Sequence, residues 1–170
     1  MVSFEDLVTD SNIKEEYQKS FLLNIFKKVI VKMKNNAAVA QHVRTLFKQS
    51  TNKYVTTISV VRKYLNYEMS QSEAELMFKW FNAYFNKSGI RKAFSDDLKH
   101  ELYEKQKGLC AICGEPLSKD SSRNHIDHIV PWSLVGDELP DNYQYLCSFC
   151  NESKSCHTDY IFKSLLKLRI

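Results

Sequence analysis

At 170 residues, 44% of them hydrophobic and with only four glycines and three prolines, the chain has enough apolar side chain for a packed, largely helical protein, which excludes general disorder. Its formal net charge of +4 is unevenly spread, because Tyr17 to Tyr67 contains no acidic residue and ten basic ones, from Lys19 to Lys63. Such a stretch predicts a polyanionic partner, nucleic acid first, unless it is only a solvated basic face on ordinary helices.

Lys27 and Lys28 interrupt the apolar run Phe21 to Met33, and no run of about 18 apolar residues exists, so neither a signal peptide nor a membrane partner is expected. The expected location is the cytoplasm, where thiols stay reduced and the five cysteines need an explanation other than disulfides.

In chain order, residues 11–36 read as a helix capped by Asp10 or Ser11, with an inward stripe of Leu22, Ile25, Phe26, Val29, Ile30 and Met33. A second helix covers 37–49, a polar connection 50–55, and a third helix about 57–66. That pair loosely resembles a helix-turn-helix, with Arg62 and Lys63 on the second helix as nucleic-acid-binding candidates. Ser70-Gln71-Ser72-Glu73 is a capping box for a helix from 71 to 87. That helix is apolar nearly all round and therefore reads as the buried central helix of the N-terminal domain rather than a base-stacking surface, with an aromatic surplus that could feed a dimer interface. Ser95 starts a helix that Gly108 ends. The predicted boundary lies near 88–95. It separates a helical, basic domain over 1–90, suited to DNA binding or dimerisation, from a second domain over 91–170.

Cys110-Ala-Ile-Cys113 and Cys147-Ser-Phe-Cys150 are two Cys-x-x-Cys pairs 33 residues apart. Each pair can wrap two thiolates around one tetrahedral Zn2+, so Cys110, Cys113, Cys147 and Cys150 form a candidate structural zinc site. A thioredoxin-like redox pair would need a βαβ pattern that is absent and would leave the second pair unexplained. Cys156 is left without a role.

Between the pairs stand His125-Ile126-Asp127-His128-Ile129-Val130-Pro131, then Gly136-Asp137, then Asp141-Asn142; Asn151-Glu152-Ser153-Lys154 follows the last cysteine. Residues 124–130 read as a strand stopped by Pro131, 142–146 as its returning partner, and about 151–168 as a helix. The expected fold is mainly α, with a small zinc-stapled ββα (α+β) module after the helical N-terminal domain.

Over roughly residues 95–160 this pattern resembles the HNH, or ββα-metal, endonuclease family in its four-cysteine zinc-knuckle form. The Asp-His-Ile-Val-Pro block, the Asp-Asn before the second cysteine pair, and Cys-Asn-x-x-Lys stand in the family's order. The resemblance implies His128 as the general base, Asp127 as a ligand of a catalytic metal, Asn142 as a residue that holds His128 in position, and Lys154 as a phosphate contact. Many members have His after the last cysteine; here Asn151 stands there, a variant found also in the HNH domain of RNA-guided CRISPR nucleases, where it ligates the metal. An oxygen pair from Asp127 and Asn151 suits Mg2+ or Mn2+ better than Zn2+. His125 reads as a structural strand histidine, and His157 as facing solvent or phosphate.

The resemblance implies a DNA endonuclease, which looks like a bacterial or phage-encoded restriction or anti-phage enzyme. A non-catalytic zinc-stapled DNA-binding module and an RNase are the alternatives. A homodimer is one route to cutting both strands.

Overall fold

The computed structural model describes residues 11–155, so Asp10, Cys156 and His157 lie outside the described residues. Helix α1 (Ser11–Asn35) runs into α2 (Ala37–Gln49) with only Asn36 between them. Asn36 is extended, and its side chain accepts hydrogen bonds from Ala38 N and Val39 N. It therefore serves as the N-cap of α2, which fixes the break. The third helix, α3 (Lys53–Leu65), begins four residues before the expected position 57, because Asn52 caps it by accepting from Tyr54 N and Val55 N. In α4 (Gln71–Asn86) both halves of the Ser70–Glu73 capping box are formed.

The four helices enclose one core. Leu22, Leu23, Phe26, Val29, Ile30 and Met33 bury one stripe of α1, and Ala74, Met77, Trp80 and Phe81 bury the inner side of α4. Phe26 meets Phe81 edge-on with ring centroids 5.0 Å apart, and also meets Trp80 at 5.8 Å. Helix α4 is buried on that side only, with Lys79 and Asn82 exposed on the other.

After an exposed connection, α5 (Asp96–Lys105) leads to the first cysteine pair. Strand β1 (Asn124–His128) pairs antiparallel with β2 (Tyr143–Cys147), His128 opposite Tyr143 and Asp127 opposite Gln144. The first strand stops at His128, two residues before the expected end. Beyond it, Ile129 N still donates to Asn142 O, the next partner in register, but Val130 N turns to the Asn142 side chain and the ladder ends. The connection holds a short helix, α6 (Trp132–Val135), and β2 leads directly into α7 (Ser148–Lys154). This last helix starts three residues before the expected 151, and the expected continuation beyond 155 lies outside the described residues.

The C-terminal module has a small core of its own, in which Leu102, Ile112, Leu117, Tyr145 and Leu146 surround Cys110 and Cys150. Gln106, just after α5, clamps β2 to it by accepting from Tyr145 N and donating to Tyr145 O, both at 2.8 Å. The loop after β1 belongs elsewhere. Val130, Leu134 and Val135 are buried in the core of the helical layer, with α6 against α4. The chain therefore changes character near 88–95, but its larger core spans both sides of that boundary.

Candidate active site

The Sγ atoms of Cys110, Cys113, Cys147 and Cys150 all lie within 4.8 Å of one another, and none forms a disulfide. A tetrahedral zinc with Zn–S near 2.3 Å would hold its sulfurs about 3.8 Å apart, so a small contraction closes the site. Gly114, at φ +73°, follows Cys113 and lets Gly114 N bond Cys110 O, wrapping the first pair into a knuckle. Cys147 N approaches Cys110 Sγ at 3.5 Å and ties the second pair to the first.

Burial works against a charged Cys110, yet the N–H groups of Cys113, Cys147 and Ile112 hold its thiol below the ordinary value. Burial and the Cys110 charge push the Cys150 thiol strongly up. Four sulfurs this close cannot all ionise without a cation between them, so the donor set fits a metal that binds thiolates.

One edge of the hairpin carries Asp127 and His128. Gln144 Nε2, across the ladder, donates to Asp127 Oδ2 at 2.9 Å, and Lys154 Nζ lies 2.8 Å from the same oxygen. Lys154 Nζ also donates to His128 O at 2.8 Å. The side chain expected at a phosphate is thus only 2% exposed and forms an ion pair with the part-buried Asp127 carboxylate. Asn151 stands one helical turn before Lys154 on α7, so the two share a face, and that helix packs against β1. Asn142 is buried, with Oδ1 accepting from Val130 N at 2.7 Å and Nδ2 donating to Val130 O at 2.9 Å. Those two bonds lock the backbone two residues after His128.

His128 is 1% exposed. Its ring packs against Tyr143, with centroids 5.0 Å apart, and Phe94, at 5.8 Å. Its Nε2 lies 2.8 Å from Oδ1 of Asp137, a carboxylate that sequence reasoning did not single out. The second Asp137 oxygen accepts from Lys92 N and Trp132 Nε1, both at 3.0 Å, and Tyr143 OH donates to the first at 3.3 Å. Burial by itself would raise this carboxyl, but the bonds from Lys92, His128 and Trp132 outweigh it and hold it at about 2. Burial and the Asp137 charge in turn push the Tyr143 phenol up.

Gly136 makes this placement possible. Its φ of +64° with ψ of −147° is glycine territory, and a Cβ there would stand 2.8 Å from Cβ of Lys87. The connecting segment is thereby strapped to the site, since Lys87 Nζ also donates to Ser133 O and Lys92 N to Asp137.

The remaining candidates lie apart from this cluster. Arg62 is exposed and ion-paired with Glu68, and Lys63 Nζ lies 3.4 Å from His42 Nε2. Thr57 on the same helix is fully buried and bonds Lys53 O, so α3 turns that threonine inward and not towards a groove. His125 Nε2 is 3.2 Å from Ser148 Oγ, which itself donates to Arg123 O, a link from β1 to the start of α7.

Among the described residues no helix is long and apolar enough to cross a membrane. No curated protein and no solved structure matches the chain. Residues 110–159 match the family model described as HNH endonuclease. The two antiparallel strands, the following helix and the four clustered cysteines of that span fit the zinc-knuckle form of that family.

Proposed function

We propose that the protein is a metal-dependent endonuclease that hydrolyses DNA phosphodiester bonds, with His128 as general base. One observation supports this reading: Asp127 and His128 are consecutive at the end of β1, and Lys154 of α7, one turn after Asn151, bonds the Asp127 carboxylate and the His128 backbone carbonyl. Asp127 and Asn151 would hold a divalent cation of the Mg2+ or Mn2+ type, as their oxygens suit a hard ion. When bound, that ion would offset the charge that builds on the phosphate and on the leaving 3′ oxygen.

The chain's own groups supply the rest. His128 takes a proton from a water whose oxygen attacks phosphorus as the bond to the 3′ oxygen breaks. That oxygen is then protonated from solvent, leaving 5′-phosphate and 3′-hydroxyl ends. Asn142 keeps the backbone after His128 fixed while this occurs. The basic face of α1 to α3, with Arg62 and Lys63, supplies affinity for the phosphate backbone. Zn2+ is assigned to the four cysteines as a structural staple. Because one such site cuts one strand, a double-strand break needs two chains or two nicks. Restriction or phage defence is the setting the resemblance suggests.

The test is purified protein with plasmid DNA and with RNA under Mg2+, beside His128→Ala. The expected result is nicked plasmid with wild type and a loss of about 100-fold or more in the variant. Cleavage of RNA alone would make it an RNase. Retention of DNA without cleavage would make it a non-catalytic binding module.

A further inference from the structure

We infer that Asp137 is the positioning residue of the His128 base, fixing the imidazole with its proton on Nε2 and its lone pair on Nδ1. This rests on the endonuclease reading above and deepens it.

Two independent observations carry it. Asp137 sits where it can only accept: besides His128, the groups aimed at its two oxygens are a backbone N–H, an indole N–H and a phenol O–H. A carboxylate so surrounded requires His128 to donate from Nε2, so a neutral imidazole there carries no proton on Nδ1. The second observation is Nδ1 itself. Among the described residues it is the one buried side-chain nitrogen or oxygen without a hydrogen-bond partner. A buried polar atom left unpaired destabilises the fold, and a catalytic role that brings its partner with the substrate is one reason to keep it. Nδ1 is therefore the atom that meets the attacking water. When it takes the water's proton, the resulting imidazolium stays bonded through Nε2–H to Asp137, which offsets the new charge without accepting the proton.

The geometry also explains why the carboxylate is held so firmly. Its four donors come from different parts of the chain: the connecting segment, α6, and the two paired strands through His128 and Tyr143. A carboxylate gripped this way cannot follow the ring, so the ring is fixed by it. The partners of Asp137 are Lys92, His128, Trp132 and Tyr143, and it acts on the chemistry through His128.

The test combines a spectroscopic and a kinetic readout on the full chain. Nitrogen-15 NMR of the histidine rings is expected to give His128 as the Nε2–H tautomer in the wild type, and a mixed or Nδ1–H form in Asp137→Asn. In plasmid nicking, Asp137→Asn is expected to lower kcat by about 100-fold or more, with KM for DNA within about 3-fold of wild type, as for other base-orienting carboxylates. Trp132→Phe, which removes one donor to the carboxylate and keeps an aromatic ring in α6, is expected to give a smaller kcat loss. It decides the kinetic question if Asp137→Asn does not fold. An Nδ1–H tautomer in the wild type, or wild-type kcat in the variants, overturns the inference. The tautomer is read without substrate, so it can stand even if the protein cuts no DNA, and the failure of one reading is distinguishable from that of the other.

Discussion

Lys154 Nζ lies 2.8 Å from Oδ2 of Asp127, with side chains only 2% and 14% exposed respectively. A lysine near the end of a short helix is usually a solvated group, but here it is the buried partner of a part-buried carboxylate. Removing one member of such a pair leaves the other uncompensated. Lys154→Met is therefore expected to cost about 3 kcal/mol in urea unfolding without added metal. Mg2+ should restore part of that loss if Asp127 ligates the ion. A variant within about 0.5 kcal/mol of wild type would show that the pair contributes nothing.

Acid should weaken the fold through Asp137. Its carboxyl is held at about 2 in the folded chain against an ordinary 3.8. Because the folded value is the lower one, the contribution is complete above the ordinary value and is lost as pH falls from about 4 through about 2. The difference corresponds to about 2 kcal/mol. Unfolding measured between pH 5 and pH 2 should show this slope in wild type and lack its share in Asp137→Asn. Equal slopes in both proteins would mean that the bonds from Lys92, Trp132 and His128 do not favour the ionised form.

Gly136→Ala should destabilise by about 1 to 3 kcal/mol, since it strains a glycine-only backbone and drives a methyl into Lys87. Coupling it with Lys87→Gly removes the steric part and leaves the backbone part. Partial recovery in the double variant, read by thermal unfolding, is the expected outcome; full recovery would put the whole cost on the clash.

Metal analysis should find about one zinc per chain, lost in Cys110→Ser or Cys150→Ser. Chelation should loosen the module around Leu102, Ile112, Leu117 and Leu146 while the packing of α1 to α4 persists, because the two cores are distinct. Near-UV dichroism, with far-UV helicity as the control, separates this from general unfolding. A chain that keeps its tertiary signal after complete zinc removal would argue against a structural staple.

Much of the architecture was legible because it is set locally. The capping box at Ser70, the break at Asn35-Asn36 and the paired Cys-x-x-Cys motifs act within a few residues, so spacing alone reveals them. Asp137 was not legible for the opposite reason. It follows His128 by nine residues through an irregular loop, and no periodicity links an imidazole to a carboxylate across such a path. The available signal was an acidic residue directly after Leu134-Val135-Gly136, a setting too apolar for a solvent loop. Lys154 was misleading in the same way, since only the folded contact with Asp127 distinguishes a buried ammonium from a surface one. The start of α3 was missed because Asn52 looked like part of a polar connection, whereas its side chain caps the helix.

The burial of Val130, Leu134 and Val135 among the helices bears on how freely this zinc-knuckle unit can be transplanted. A cassette cut at the apparent boundary near residue 90 would carry its cysteines and its hairpin intact, yet would expose three apolar side chains from the segment between His128 and Asp137. Grafted onto a foreign partner, it would keep its staple and lose the wall against which the loop after β1 is moulded. Substitutions in α4 and in that loop are therefore expected to be inherited as a set, the helical layer acting less as an appended reader than as half of the mould.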